Sequence, residues 1–233
     1  MATPAQIARA RSLALADAAR AHAAGSPAGP APAGPAPAAG SGLDRMLAQL
    51  KRDRDQLRGI QSMVARAEAK RELMPDYMPY VDGVLEADTG RQDPVVVHMM
   101  IWALDVGDHA TMLRLAGYVI RHGLAMPEGF ERPPAAWLVE ELARVAMDDP
   151  AALPHLDDAL RLTSDMDMHD PIRAKALRVL GEAVLGTDPA LAVERLERAL
   201  AYDPKVGARK ALDAARKAAA QAAESDPEDA ETP

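Results

Sequence analysis

Cysteine is absent from all 233 residues. Disulfides and thiolate metal ligands are therefore excluded, and a reducing cytoplasm is compatible with the chain. Aromatic residues are also scarce, at 3% with a single Phe, so a core has to be assembled mainly from Leu, Val, Met and Ala, a palette that favours helices over sheets. No Gly-rich loop followed by Lys-Ser or Lys-Thr occurs, which removes the usual phosphate cradle of an ATPase. His98, His109 and His122 lack a ligand spacing such as HExxH, so no metal site and no cofactor are expected; His98 reads as a core or interface residue. No signal-peptide pattern opens the chain. The longest apolar run, Val95 to Leu104, is interrupted by His98 and falls far short of the roughly 20 residues of a spanning helix. The expectation is a soluble, all-α protein without membrane contact.

Charge is unevenly spread. The formal net charge is -8, yet residues 1–72 carry 11 Lys plus Arg against 6 Asp plus Glu, and the other 161 carry 16 against 29. Only the first third offers a net positive surface to a polyanion.

Six segments follow from composition. Residues 1–24 are an Ala-rich arm with Arg9, Arg11 and Arg20, helical only when docked, since isolated helices of that length are marginal in water. Residues 25–42 contain only Gly, Ser, Pro and Ala and read as a linker; in polyproline II form its reach is roughly 50 to 60 Å at about 3.1 Å per residue. Residues 43–72 read as one long basic helix with apolar heptads: Leu43, Leu50, Leu57 and Val64 on one seam position, Met46, Asp53, Ile60 and Ala67 on the other. Asp53 alone breaks the stripe. Such a helix either self-associates across subunits, through Leu43, Met46, Leu50, Leu57, Ile60 and Val64, or lies on its own domain.

Residues 73–149 read as a central helical domain. Pro75 and Pro79 break the chain; Asp93-Pro94 opens a helix ended by Gly107; Asp108 caps one running to His122 and stopped by Gly123; Pro133-Pro134 opens another to Met147. Residues 150–220 form a helical hairpin region, with a weak helix from Ala151 to Thr163 followed by helices opened by Asp170-Pro171, Asp188-Pro189 and Asp203-Pro204. Ala192, Leu196, Ala199 and Pro204 match the second helix of a tetratricopeptide repeat, while Leu180 and Gly181 sit one residue off the first-helix pattern. One such unit makes no solenoid. Residues 221–233 read as an acidic disordered tail.

Two acidic groups are rich enough in carboxylates to be compared with a nuclease site, Asp76, Asp82, Glu86, Asp88 and Asp93, and Asp165, Asp167 and Asp170. Asp93 and Asp170 are explained as N-caps before Pro, the others fall where loops are expected, and no Lys accompanies them in a nuclease arrangement. No catalytic residue is assigned. Met74, Tyr77, Met78, Tyr80, Met99, Met100 and Trp102 read as core, or as a fixed elbow at the Pro-flanked "MPDYMPY" turn. Trp137 is open to either role.

The segments "RELMPDYMPYVDGVLE", "HMMIWALDVGD" and "YVIRHGLAMPEGFERPPAAWLVEEL", between Arg71 and Leu142, are sequence-specific text. They resemble the small terminase subunit of tailed phages, in the GpM-like branch, also described as the terminase endonuclease subunit; the resemblance runs from about Leu43 to about Pro204. It implies an oligomeric subunit, arranged as a ring, that binds the packaging-initiation region of viral double-stranded DNA in the bacterial host cytoplasm and recruits the large ATPase and nuclease subunit. On composition alone the basic run Arg45, Lys51, Arg52, Arg54, Arg58, Arg66, Lys70 and Arg71 reads as a solvated helix face laced with i,i+4 pairs. With the resemblance, these eight become the DNA-contact candidates. No helix-turn-helix is recognisable where many small terminase subunits carry one. Two other classes remain: a tetratricopeptide-like protein-binding adaptor without a DNA role, and an autonomous nuclease.

Overall fold

The computed structural model describes residues 42–225; the Ala-rich arm, the linker up to residue 41 and the acidic residues 226–233 lie outside the described residues. The described residues form ten α-helices and no strand: α1 Gly42–Arg58, α2 Met63–Leu73, α3 Met78–Ala87, α4 Pro94–Asp105, α5 His109–Arg121, α6 Pro134–Val145, α7 Leu153–Leu162, α8 Asp170–Val184, α9 Pro189–Tyr202 and α10 Arg209–Ser225. The all-α expectation holds. The chain divides between Glu131 and Arg132 into two compact units. This boundary falls inside the segment expected as one central domain, because α6 packs on α7 and α8.

In the first unit, α4 is the hub against which α1, α2, α3 and α5 pack. Asp93 starts it: one carboxylate oxygen accepts the N–H groups of Val95 and Val96 at 2.9 and 3.3 Å, and Pro94 occupies the first helical position, where no N–H is needed. The other oxygen accepts the Tyr80 hydroxyl at 2.6 Å. Asp93 is thus a buried charge held by a helix N-terminus and a phenol. Burial, and then the Asp93 charge, hold the Tyr80 hydroxyl far above its ordinary pKa.

The aromatic and Met cluster is core except for Met78, which is half-buried. Tyr77, Tyr80, Met99 and Met100 are wholly buried, and Met74 and Trp102 nearly so. Tyr77 meets Trp102 edge-on at 5.8 Å between ring centroids.

At the far side of this unit, Asp88 ends α3 in a left-handed conformation, φ 48°, and accepts from His122 Nε2 and from Arg121 at 2.7 Å each. These hydrogen bonds, His122 first and Arg121 next, lower the Asp88 pKa. Gly90 follows with φ +67°, and a Cβ there would lie 2.5 Å from His122 Nδ1.

In the second unit, α8, α9 and α10 stack in succession, and α8 also packs on α6 and α7. Leu177, Ala192, Leu196, Ala199, Ala208, Leu212 and Ala215 form a small-residue core. Gly181 permits the closest approach, since a Cβ on it would sit 2.8 Å from Leu196 Cγ. Asp188 caps α9 by accepting from Leu191 N–H at 2.9 Å. Two expected starts differ. Asp170 is inside the first turn of α8, with His169 at the cap position. Asp203-Pro204 opens no helix: the Asp203 carboxylate accepts from Lys205 N–H in a local turn, and α10 begins only at Arg209.

Candidate nucleic-acid interface

The single heptad helix expected over residues 43–72 is two helices. α1 stops at Arg58; Gly59 and Ile60 bond back to Gln56 and Leu57 carbonyls at 3.1 Å; the Ser62 hydroxyl then caps α2 by accepting from Ala65 N–H. Arg66 clasps the break, donating twice to the Ile60 carbonyl, at 2.6 and 3.2 Å. Gly59 before a Ser N-cap was a local stop-and-start signal that the heptad pattern overrode.

The seam is correspondingly divided. Met46, Leu50 and Leu57 are 0, 3 and 5% exposed and belong to the core of their own unit. Leu43 and Ile60 are half-buried. Val64, at 81%, projects into solvent beside Met63. Asp53, the residue that broke the stripe, accepts a hydrogen bond from the buried Tyr77 hydroxyl. Burial and this bond raise the Tyr77 pKa far above its ordinary value. An acid at a seam position thereby ties α1 to the Pro-flanked turn.

The eight basic candidates separate into two groups. Arg66, Lys70 and Arg71 have structural partners inside the chain. Lys70 is 13% exposed, pairs with Asp105 and lies over the Trp102 ring; Arg71 pairs with Glu68 and donates to the Val106 carbonyl at 3.0 Å, closing the C-terminal end of α4. On α1 all five cations are exposed. At about 100° per residue, Lys51, Arg54 and Arg58 fall within about 60° of one another, and Arg45 and Arg52 within about 20°. They form two rows, one on each side of the outward face, with Asp44 and Asp55 between them. Asp55 pairs with Arg58 at 2.6 Å and Lys51 at 3.5 Å. Arg45, Arg52 and Arg54 form no ion pair among the described residues. Exposed pairs of this kind contribute about 0 to 1 kcal/mol, so phosphate can displace Asp55 at little cost.

Among the described residues the acidic groups compared with a nuclease site do not converge. Asp82 pairs with Arg114 at 2.8 Å, Asp88 with Arg121 and His122, and Asp93 caps α4. Among the described residues no group of three or more His, Asp or Glu is placed to hold a metal ion, and no helix is long and apolar enough to cross a membrane.

Comparison with known proteins identifies the chain. No solved structure matches it. A curated protein of Escherichia phage P2, named "Terminase, endonuclease subunit", is 38% identical over 176 residues, covering 73% of this chain and 71% of that protein. The sequence profile described as phage small terminase subunit matches residues 47–171, from within α1 to the first turn of α8. This chain belongs to the phage small terminase subunit family, whose role is in phage DNA packaging.

Proposed function

We propose that this chain is the DNA-binding subunit of a packaging terminase, using the exposed face of α1 to engage the phosphates of viral double-stranded DNA and presenting itself to a large ATPase and nuclease subunit. One observation carries the reading: Arg45, Lys51, Arg52, Arg54 and Arg58 are all exposed on α1, whose Met46, Leu50 and Leu57 are buried, and three of the five have no ion-pair partner among the described residues. Affinity for DNA comes largely from release of condensed counterions and scales with the phosphates neutralised. A surface of five cations on one helix favours backbone contact over base readout. Assembly into a homo-oligomeric ring multiplies such weak contacts when all can engage at once. Subunit contact through this segment centres on the exposed Val64 and Met63 rather than on the buried seam residues.

Light scattering and DNA titration at two salt concentrations test the reading. The variant R45Q/K51Q/R52Q/R54Q/R58Q is expected to bind more weakly, with a slope of log affinity on log salt shallower by up to about 4.5 units, near 0.9 per phosphate lost. A monomeric wild-type chain without DNA affinity overturns the proposal.

The name of the phage P2 relative supports a second reading, in which this subunit itself cuts DNA. We assign cleavage to the large subunit instead. Magnesium-dependent cutting by the purified chain, abolished by D82A or E86A without unfolding, would reverse that assignment. A protein-binding adaptor built on α8 and α9 is the remaining alternative, and salt-sensitive DNA binding that depends on α1 leaves it insufficient.

A further inference from the structure

The second unit is acidic: residues 132–233 carry 13 Lys plus Arg against 20 Asp plus Glu. Yet Lys205, Arg209, Lys210, Arg216 and Lys217 crowd into thirteen residues with a single acid, Asp213. Local reversal of charge against an acidic background marks a surface with a purpose of its own. The arrangement on α10 is more ordered than that on α1. Ala208, just before α10, and Leu212 and Ala215 on it are buried against Leu177, Leu196 and Ala199. At about 100° per residue, Arg209, Lys210, Arg216 and Lys217 fall within an arc of about 120° outside that stripe, with Arg216 at the edge beside Leu212. All four are exposed. Arg216 pairs with Glu197 of α9 at 2.8 Å across two half-exposed side chains, a contact that phosphate displaces readily. Arg209, Lys210 and Lys217 form no ion pair among the described residues.

We propose that the outward face of α10 is a second site for the DNA phosphate backbone, so that each chain grips DNA from both of its units. The proposal rests on the DNA-binding reading of the chain given above. Two cation pairs seven residues apart along a helix stand about 10 Å from each other at 1.5 Å per residue, far enough apart to neutralise different phosphates of one duplex. The apolar stripe of α10 is consumed by α9 and its neighbours, which leaves no apolar face to insert into a lipid surface. A phosphodiester backbone is the partner whose charge complements four cations around one carboxylate, and DNA is the polymer on which this family works.

The experiment uses the full chain, with the acids that follow α10 in place, and a fluorescently labelled double-stranded DNA titrated across a salt series. Three variants are compared with the unaltered protein: R209Q/K210Q/R216Q/K217Q on α10, the α1 variant R45Q/K51Q/R52Q/R54Q/R58Q, and the charge-retaining R209K/K210R/R216K/K217R. Glutamine keeps helix propensity, and thermal unfolding of each variant reports whether α10 stays packed. The α10 glutamine variant is expected to lose at least about tenfold in affinity at low salt, with a slope shallower by about 2 to 4 units, while the charge-retaining variant binds as the unaltered chain does. Wild-type affinity and slope in the α10 glutamine variant, with binding lost in the α1 variant, overturn the second site and leave the α1 reading standing. Equal loss in the glutamine and charge-retaining variants overturns it too, because the effect is then not one of charge. Absence of DNA binding in the unaltered chain removes both proposals.

Discussion

Replacing Asp93 by Ala tests whether one carboxylate organises the first unit. The substitution acts twice. It removes the N-cap of α4, which accepts from Val95 and Val96 N–H and typically contributes about 1 kcal/mol, up to about 2. It also strands the Tyr80 hydroxyl, which is wholly buried and donates to Asp93 at 2.6 Å; a buried polar group left unsatisfied costs about 1 to 3 kcal/mol. The expected loss is about 2 to 5 kcal/mol, a large part of the roughly 5 to 15 kcal/mol that keeps a domain folded. Two controls separate the contributions. D93N retains a good capping side chain and should cost about 1 kcal/mol, whereas Y80F removes only the charge-assisted hydrogen bond, worth about 1.5 to 3 kcal/mol. In the D93A/Y80F double variant the orphaned hydroxyl is gone, so the losses should fall short of additivity by about 1 to 2 kcal/mol. Urea unfolding followed by circular dichroism and Trp fluorescence gives these values. A D93A cost below about 1 kcal/mol, or strict additivity with Y80F, would refute the argument that cap and phenol share one acid.

Further outcomes follow from other sites. Gly90→Ala combines a positive φ with a Cβ 2.5 Å from His122 Nδ1, so a loss of about 2 to 3 kcal/mol is expected in urea unfolding; a neutral result would show that His122 leaves its Asp88 contact freely. Burial lowers the pKa of His98 from its ordinary 6.5. The unfolded chain then takes up a proton before the folded one, so stability is full above pH 6.5 and falls as pH drops from there toward the lowered folded value; His98→Gln should flatten that part of the stability profile. Tyr77→Phe deprives Asp53 of its donor and should cost about 1 to 2 kcal/mol, with faster amide exchange in α1 as the more sensitive readout.

Much of the helix punctuation was legible in the sequence because its causes are local. Asp-Pro at 93–94 and 188–189 starts helices where a carboxylate can reach N–H groups two or three residues on. The same dipeptide at 203–204 misleads: the turn forms, but Gly207 with φ +84° interrupts before α10 can begin. At residues 59–62 the heptad spacing continued through a real break, since apolar period alone carries no information about which helix face has a partner. Asp53 looked like a flaw in the seam because its donor, Tyr77, is 24 residues away. The basic face of α10 was hidden by counting charge over the whole acidic remainder of the chain rather than over one helix.

Composition and pattern by themselves determined that this chain is all helical, where most helices start and stop, which family it resembles, and that positive charge is concentrated before residue 73. These properties depend on propensities and on contacts within about one helical turn, which neighbouring residues encode directly. Only the tertiary structure decided which cations are held by partners far away in the sequence. Lys70 and Arg71 were indistinguishable from Arg45 and Arg52 as letters, and they differ because α4 lies beside α2 and supplies Asp105 and the Val106 carbonyl. Whether a charge is available to DNA or is already held by its own protein depends on packing between segments far apart in sequence, and that is settled when the helices meet.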